Sequence, residues 1–243
     1  ILPKGDLVYP LSQHIGAPAV PVVKKGDHVL TGQKIADAAG FVSAPIYATV
    51  SGTVKAIEKR RVTVGDNVNA IVIENDGKYE EVDYGECKPL EELTKEEIVK
   101  KVQEAGVVGM GGAGFPTHVK LSPKEPDKIE YVIANCAECE PLLRLHRQLL
   151  EKYAQEIVDT FHLIGEAVGA KELVIGIKKA YTGTIEALSD VIGEYPEVRL
   201  GLLDEVYPAG DEVVLIYEVT GKVVRPGGLP IESGVAVFNV ETV

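Results

Sequence analysis

Three apolar runs decide the fold: Ile129-Glu130-Tyr131-Val132-Ile133-Ala134, Leu173-Val174-Ile175-Gly176-Ile177 and Val198-Arg199-Leu200-Gly201-Leu202-Leu203. Each has the length and composition of a buried strand, and helical patterns separate them. A β-α-β-α-β order predicts a parallel sheet with helices on its faces. Because ligands of such sheets bind at the carboxyl ends of the strands, we look for functional residues in the loops that follow strands.

Two helices are predicted between these strands, the second over 184–192. For the first, Pro141 suits the opening position of a helix, where its missing N–H costs least, and Gly169 is a typical stop. Between them, apolar residues recur at steps of three and four, which predicts one long helix with one buried face. These apolar residues are Leu142, Leu145, Leu149, Tyr153, Ile157, Phe161, Ile164 and Val168.

The first part of the chain has all-β chemistry. Between Val20 and Glu74, short runs rich in Val, Ile and Ala are broken by Gly at close spacing, as in a small β-domain. The runs 25–36 and 43–54 resemble the flattened barrel of biotinyl and lipoyl carrier domains, and 64–68 is a second approximate copy of the Gly-Asp turn. The intervening hairpin, Asp37-Ala38-Ala39-Gly40-Phe41-Val42, contains no Lys. It therefore cannot carry a prosthetic group, and a docking or scaffold module is predicted.

A connector separates this β unit from the rest. Asn75-Asp76-Gly77 is a turn signal, and the acidic stretch up to Glu92 is typical of a solvated segment. Thr94 and Glu97 have the spacing of a capping box, so a helix is predicted to begin here and to end at Gly106. The predicted organisation is a barrel-sandwich β domain over 1–78, a connector over 79–93 and an α/β domain over 94–243. The fold class is α/β, with a Rossmann-like parallel sheet behind a small all-β domain.

Composition excludes several classes of protein. The 25 Lys and Arg against 37 Asp and Glu give a net charge of −12, and 45% of the residues are apolar. An acidic chain argues against non-specific nucleic-acid binding, and no apolar run is long enough to span a bilayer. With neither an initiator Met nor a signal-peptide pattern at its start, we expect the chain to be a fragment of a longer protein. Three cysteines are too few for a disulfide framework, which indicates a reducing, cytoplasmic location. The five histidines show no metal-ligand spacing, so no metal site is predicted.

The glycine loop is the main candidate for ligand binding. It reads Gly106-Val107-Val108-Gly109-Met110-Gly111-Gly112-Ala113-Gly114-Phe115-Pro116-Thr117 and contains G-x-G-x-x-G. An ordinary dinucleotide fingerprint follows a strand and opens a helix, whereas here a helix precedes the loop and a proline follows it. The glycines still allow several N–H groups to converge on a phosphate. The loop is interpreted as a phosphate- or nucleotide-binding element, with a flexible connection as the alternative.

Four ordered motifs carry a family resemblance. They are the glycine loop with Lys120, Asn135-Cys136-Ala137-Glu138-Cys139-Glu140-Pro141, Tyr207-Pro208-Ala209-Gly210-Asp211-Glu212 and Asn239-Val240-Glu241-Thr242. Together they resemble the RnfC family, the NADH-side subunits of ion-translocating ferredoxin:NAD oxidoreductases. They are also similar to the proline-reductase-associated relative PrdC and, more distantly, to the flavoprotein subunit of respiratory complex I that binds FMN and NADH.

The resemblance implies a flavin site and a hydride transfer from NADH to FMN. Electrons then leave to 4Fe-4S clusters, whose cysteines in this family come after the position of residue 243. The residues implied to contact FMN are Gly109, Gly111, Gly112, Lys120, Asn135, Glu138, Tyr207, Gly210, Asp211, Glu212 and Asn239. Those implied to hold NADH are Phe115, Glu140 and Glu212. No catalytic acid, base or nucleophile is required, because the hydride chemistry belongs to the cofactors.

Some residues depart from the family pattern. Met110 and Ala137 stand where complex I relatives carry Arg and Asp, and Cys136 where membrane-pump members more often carry Gly. The last difference favours the amino-acid-reductase relative slightly. The implied partners are subunits of a membrane-associated electron-transport complex or a soluble amino-acid reductase, and the implied location is cytoplasmic or peripheral on the inner face of the membrane.

Two other functions stay open. The first is a thiol oxidoreductase that uses the C-x-x-C pair Cys136 and Cys139, which follows a strand. The second is a non-catalytic assembly module without flavin.

Overall fold

The structure is a computed structural model that describes residues 2–63, 65–140 and 142–243. Within these residues the contacts divide the chain into two compact units. The first unit is the chain up to Val108 together with Gly112–Val119, and the second is Gly109–Gly111 with Lys120–Val243. The division therefore runs through the glycine loop. The domain boundaries predicted at 78 and 93 stay a prediction.

The first unit is built from antiparallel strands. Its strands are β1 (Asp6–Pro10), β2 (Val20–Pro21), β3 (His28–Val29), β4 (Lys34–Asp37), β5 (Ile46–Tyr47), β6 (Gly52–Arg61) and β7 (Asn67–Asn75). In the described part of the chain they form two sheets, with the orders β1-β7-β6-β3 and β2-β4-β5. Val54 of β6 and Ile71 and Ile73 of β7 are fully buried in the core of this unit. The all-β prediction for this region is confirmed, and one residue of its second Gly-Asp turn, Val64, lies outside the described residues.

Helix α1 (Lys95–Glu104) begins with the predicted capping box. The Thr94 hydroxyl accepts a hydrogen bond from the Glu97 amide at 3.2 Å, and the Glu97 carboxylate accepts one from the Thr94 amide at 2.9 Å. The chain leaves the helix through Gly106, whose φ is +70°. A Cβ on Gly106 would lie 2.6 Å from the Pro45 carbonyl oxygen, so a side chain has no room at this stop.

The second unit contains a parallel sheet. Its strands are β8 (Tyr131–Asn135), β9 (Glu172–Lys178), β10 (Val198–Leu203) and β11 (Val235–Asn239). Its longer helices are α3 (Leu145–Lys152), α4 (Ala154–Val168), α5 (Thr182–Ile192) and α6 (Glu212–Thr220), while the short α2 (Thr117–Lys120) crosses the division between the units. The strand order is β10-β9-β8-β11, and every pairing between neighbours is parallel.

Helices cover both faces of this sheet. Successive residues of a strand point to opposite faces. On β9, Leu173 meets α4, since a Cβ on Gly165 would lie 2.5 Å from the Leu173 side chain. The next residue, Val174, belongs to a core cluster with Leu215 and Val219 of α6. The predicted α/β class, with a parallel sheet between helices, is therefore confirmed.

The single long helix predicted over 141–168 is wrong in two respects. The structure has two helices, α3 and α4, which are separated by Tyr153 in a non-helical conformation with φ −128° and ψ 35°. Helix α3 begins only at Leu145, so Leu142 precedes it and is 93% exposed instead of lying on a buried face. The predicted first position, Pro141, lies outside the described residues. The stop at Gly169 is confirmed, with a left-handed φ of +74°.

Candidate functional site

The strand order places a topological switch point between β8 and β11. From β8 the chain moves to β9 and then β10 on one side, and β11 returns to the opposite side of β8. Ligands of open α/β sheets bind in the crevice outside the carboxyl ends of the strands at such a reversal. The last residues of the two strands, Asn135 and Asn239, are opposite each other in the register. The fold therefore brings together two residues that the sequence assigned to one site.

Asn135 ties the end of β8 to the loop before α6. Its side-chain oxygen accepts a hydrogen bond from the Ala137 amide at 3.2 Å, which shapes the turn after the strand. Its side-chain nitrogen donates to the Gly210 carbonyl oxygen at 2.8 Å. The motifs that begin at Asn135 and at Tyr207 thus meet through one side chain.

Gly210 is a glycine because two chain segments approach it closely. A Cβ on this residue would overlap the Ala137 carbonyl oxygen and lie 2.9 Å from the Cys139 sulfur. The Gly210 amide donates to that sulfur at 3.2 Å. The next residue, Asp211, caps α6 by accepting hydrogen bonds from the Val213 and Val214 amides, both at 3.1 Å. This loop is therefore fixed against the end of β8.

The exposed side chains of this loop remain accessible to a ligand. Tyr207 is 79% exposed, and Asp211 and Glu212 are exposed as well. Glu140, which follows β8, is also exposed. These predicted site residues therefore stand on the surface of the second unit, around a fixed backbone.

The turn after β11 holds part of the glycine loop. The side-chain oxygen of Asn239 accepts from the Glu241 amide at 2.8 Å, and its carbonyl accepts from the Thr242 amide at 2.8 Å. The Thr242 hydroxyl accepts a hydrogen bond from the Met110 amide at 2.9 Å. Gly111 has a φ of +73°, and a Cβ there would lie 3.1 Å from the Asn239 side-chain nitrogen. Met110 and Gly111 thus lie against the end of β11 and the turn that follows it.

Lys120 adds a positive charge beside β11. Its ammonium donates to the Val237 carbonyl oxygen at 2.6 Å and lies 5.4 Å from the centre of the Phe238 ring. Burial lowers the pKa of Lys120, and the negative charge of Glu212 partly opposes that shift. A half-buried lysine with a depressed pKa is a candidate member of a functional site.

Glu138 is held inside the protein. It is 4% exposed, and its two carboxylate oxygens accept hydrogen bonds from the His146 amide and the Arg147 guanidinium, each at 3.0 Å. The His146 side chain in turn bonds Glu241 at 3.0 Å. Sequence reasoning missed His146, Arg147 and Glu241 as members of this site. Residues separated by 95 positions give no local signal of their pairing.

The cysteines give little support to a thiol oxidoreductase. Cys87, Cys136 and Cys139 are free thiols within the described residues. Burial, with a smaller contribution from Glu138, raises the pKa of Cys136 far above its ordinary value. Thiol exchange needs a thiolate in an accessible, electropositive setting. Cys136 has the opposite environment, and the Cys139 sulfur is a hydrogen-bond acceptor for Gly210.

Two predicted site residues belong to the first unit. Gly112 is exposed, and no described atom lies within 4 Å of a Cβ placed on it. Phe115 is half-buried. Between them, Gly114 is required by a close approach, since its Cβ would lie 2.9 Å from the Gln13 carbonyl oxygen. The roles implied for Gly112 and Phe115 stay predictions.

Comparison with family models gives two matches along the chain. Residues 1–78 match the RnfC barrel sandwich hybrid domain. Residues 102–243, more than half of the chain, match the Nuo51 FMN-binding domain. The second match contains the whole parallel sheet and its switch point.

Similar proteins give a consistent picture. The chain is 43% identical over 239 residues to a subunit of the Na(+)-translocating ferredoxin:NAD(+) oxidoreductase complex of Acetobacterium woodii, covering 97% of this chain and 54% of that protein. It is 41% identical over 252 residues to the corresponding subunit of the proton-translocating ferredoxin:NAD(+) oxidoreductase complex of Clostridium ljungdahlii, covering 100% of this chain and 53% of that protein. The chain thus spans about half the length of these curated relatives.

A solved structure resembles part of the chain. The NAD+-reducing [NiFe]-hydrogenase in the air-oxidized state aligns with a TM-score of 0.52 and 29% identity, over 61% of this chain and 29% of that one. With the two domain matches and the relatives, the resemblance inferred from the four motifs is confirmed. The chain belongs to the Nuo51 FMN-binding domain family and, with an RnfC barrel sandwich hybrid domain in front, is an RnfC-like protein.

Proposed function

We propose that the chain binds FMN at the carboxyl ends of β8 and β11 and passes a hydride from NADH to it. One observation carries the proposal: Asn135 and Asn239 end neighbouring strands in register at the switch point, and the glycine loop bonds to the turn that follows Asn239. The family model that covers this region is an FMN-binding domain. The proposal extends that family property to this chain and adds its substrate.

The residues at the switch point fit FMN by their chemistry. A flavin ring offers donors and acceptors along one edge, and its phosphate needs N–H groups and positive charge. Side-chain amides of Asn135 and Asn239, the main chain at Gly109 and Gly111, and the ammonium of Lys120 supply such groups. Gly111 leaves open the space that a side chain would fill beside Asn239. The Met110 amide is already engaged with Thr242, so it acts as an anchor of the loop.

The other predicted residues take supporting roles in this proposal. Gly112 contributes main chain to the cofactor, and Tyr207, Gly210, Asp211 and Glu212 form the wall opposite the glycine loop. Glu138 does not contact the cofactor directly but supports the site from the protein interior, because His146 and Arg147 occupy both of its carboxylate oxygens. Phe115 stacks on NADH, and the carboxylates of Glu140 and Glu212 accept hydrogen bonds from its hydroxyls.

The chain itself binds the two reactants, orients them and excludes water from them. When bound, FMN supplies the ability to accept two electrons as a hydride and to release them one at a time. The rate gain available to the protein comes from holding two reactants in a fixed mutual orientation. The hydrogen bonds that fix Asn135, Gly210 and Asn239 make this part of the backbone rigid before a ligand arrives. No side chain of this site needs to exchange a proton in that scheme.

The electrons leave for clusters outside this chain. We propose that the acceptors are iron–sulfur clusters and then partner subunits of a membrane-associated complex, as the names of the curated relatives indicate for those proteins. None of the helices in the described part of the chain combines the length and apolar character needed to cross a bilayer. By analogy with those relatives, we propose that the chain is a peripheral subunit on the cytoplasmic face, held there by its partners.

FMN and NADH titrations test the proposal. Quenching of FMN fluorescence by the apo-chain should be saturable, and anaerobic NADH should then bleach the visible flavin absorbance. Gly111→Ala should weaken FMN binding by about tenfold, since the new methyl group displaces the Asn239 side chain. Gly227→Ala is the matched control, because Gly227 has a φ of +72° against +73° for Gly111, but no described atom lies within 4 Å of its Cβ position.

The outcomes separate the competing functions. Saturable FMN binding without bleaching by NADH would contradict the hydride transfer and leave a flavin-binding module. Absence of FMN binding to the folded chain would contradict the flavin site and favour the assembly module. Equal losses in Gly111→Ala and Gly227→Ala would show that backbone strain, not the place beside Asn239, controls binding.

A further inference from the structure

His146 links the two sides of the switch point through a single bond. It lies on α3, and its Nε2 atom is 3.0 Å from a carboxylate oxygen of Glu241, which follows β11. A carboxylate accepts, so Nε2 carries the hydrogen. Both side chains are largely enclosed, with 11% and 24% of their surfaces exposed. A hydrogen bond to a charged group in such a setting is stronger than one at the surface.

Glu138 fixes the backbone of His146, whose side chain extends to Glu241. Its carboxylate accepts a hydrogen bond from the His146 amide, and its other oxygen accepts one from Arg147. The Arg147 guanidinium also donates to the Leu143 carbonyl oxygen at 2.8 Å and lies 4.2 Å from the centre of the Tyr181 ring. The start of α3 is therefore anchored to the loop that follows β8.

The imidazole has no second task within the described residues. Its Nδ1 atom is buried and has no hydrogen-bond partner among them. Leaving a buried polar atom unsatisfied costs free energy. Within the described residues, the hydrogen bond to Glu241 is therefore the one bond that the imidazole makes.

Glu241 belongs to the turn that holds the glycine loop. Its amide donates to the Asn239 side chain at 2.8 Å, and the next residue, Thr242, accepts a hydrogen bond from the Met110 amide at 2.9 Å. Asn239 is also the residue beside Gly111. A continuous chain of contacts thus runs from Glu138 through His146 and Glu241 to the main chain at Met110.

We infer that His146 is a positioning residue for the flavin site: its bond to Glu241 sets the turn after β11 and, through Thr242 and Asn239, the glycine loop at Met110 and Gly111. The inference rests on the proposed function for its consequence, which is tight binding of FMN. Its structural part concerns only residues of the second unit.

Two replacements of His146 separate the bond from the volume of the side chain. A Gln side chain can place its amide nitrogen where Nε2 stands, whereas Asn reaches only to the position of Nδ1 and cannot bond Glu241. In the 243-residue chain, His146→Asn should speed hydrogen–deuterium exchange of the Met110 amide about tenfold and weaken FMN binding about tenfold. His146→Gln should restore both values to within about threefold of the unmodified chain.

Two control variants test whether the effects come from misfolding or from the general loss of a histidine. Glu241→Ala breaks the same bond from its partly exposed side and should reproduce the faster exchange of Met110. His162 also bonds a glutamate, Glu197, but on α4 away from the switch-point residues. His162→Gln should leave both the Met110 exchange and the FMN affinity unchanged.

The results distinguish this inference from the proposed function. Unchanged Met110 exchange in His146→Asn, or equal acceleration in His146→Asn and His146→Gln, would overturn the positioning role. If Met110 exchange responds as expected but neither the unmodified chain nor any variant binds FMN, the positioning role stands and the proposed function is wrong. If FMN binding weakens in His146→Asn without any change at Met110, the cofactor site depends on His146 by another route, and the inference is wrong.

Discussion

The two units use polar side chains in different ways. In the first unit, Asp76 accepts hydrogen bonds from Ser51 at 2.7 Å and from the nearby Lys78 amide at 2.9 Å, so it fixes the turn that follows β7 to the residue that precedes β6. In the second unit, Asn135 and Asn239 stand in register at the carboxyl ends of two parallel strands. Asn135 donates to the Gly210 carbonyl oxygen, 75 positions away, and Asn239 accepts from the Glu241 amide in the turn that follows it. The carboxyl end of β7 is tied to its antiparallel neighbour β6 through Asp76, whereas the carboxyl ends of β8 and β11 lie together at the edge of a parallel sheet, where ligands of α/β folds bind.

The pKa shifts show the same contrast. The hydrogen bond from the Lys78 amide is the largest cause that lowers the pKa of Asp76, so the charged form is favoured there. Burial lowers the pKa of Lys120, so its charged form is disfavoured. The first shift comes from hydrogen bonds to a carboxylate at a turn, and the second comes from burial of a lysine beside β11. The comparison predicts that changes in the two units affect different measurements.

The largest effect is expected at Gly210. Gly210→Ala should reduce FMN affinity about a hundredfold, because its methyl group overlaps the Ala137 carbonyl and separates the loop from β8. Gly52→Ala creates a similar overlap in the first unit, with the Glu74 carbonyl oxygen. It should lower the free energy of unfolding by about 1–3 kcal/mol yet leave FMN affinity within about twofold. Isothermal titration and thermal unfolding measure both, and equal losses of FMN affinity would break the comparison.

A smaller effect is expected at Lys120. Lys120→Met should weaken FMN binding about tenfold by removing a cation that favours the phosphate. Lys100→Met is the control, since Lys100 is exposed and pairs with Glu104 at 3.7 Å. Fluorescence titration at low and at high salt measures the difference, and salt should weaken binding less in Lys120→Met than in the unmodified chain. Equal affinity in all three proteins would exclude Lys120 from the site.

Lys120 also gives the apo-chain a pH signature. Its folded-state pKa is lowered below the ordinary 10.5, so the folded chain releases this proton at a lower pH than the unfolded chain does. Between the lowered pKa and 10.5 the unfolded state binds more protons, and stability therefore rises with pH through that window. Urea unfolding of the unmodified chain and of Lys120→Met across the alkaline range should show this relative rise in the unmodified chain alone.

The smallest effect concerns two helix caps. Thr94 caps α1 in the first unit, and Asp211 caps α6 in the second. Replacing either residue with Ala should lower the free energy of unfolding by about 1 kcal/mol, as measured by chemical denaturation. Only Asp211→Ala should also weaken FMN binding, by a few-fold. A change of FMN affinity in Thr94→Ala as large as that in Asp211→Ala would contradict the assignment of the site to the second unit.

Local patterns predicted those parts of the fold that local forces create. The capping box at Thr94, the stop at Gly169 and strands β8, β9 and β10 were all predicted from spacing and composition, and the structure confirms them. Helix α6 was not predicted, because Glu-Val-Val-Leu-Ile-Tyr-Glu-Val-Thr is rich in β-branched residues and apolar on nearly every side. Its boundaries Asp211 and Gly221, a cap and a left-handed stop, were the available signal.

The remaining differences have tertiary causes. Strand β11 is short, and although its last residue belonged to a quoted motif, only its pairing with β8 makes it part of the sheet. Periodicity placed Leu142 on a helical face, but a period does not say where a helix begins, and α3 begins after it. The site residues came from motifs and resemblance, whereas His146 and Glu241 required the folded chain.

The bond between the Met110 amide and Thr242 spans 132 positions. A ribosome releases the glycine loop long before it makes the residues that hold it, and closing so long a loop is slow compared with local folding. The antiparallel strands at the front can form while synthesis continues. If FMN binds where we propose, its insertion has to wait until β11 and its following turn have been translated. Nascent chains arrested before that point should therefore contain no bound flavin and show no visible flavin absorbance.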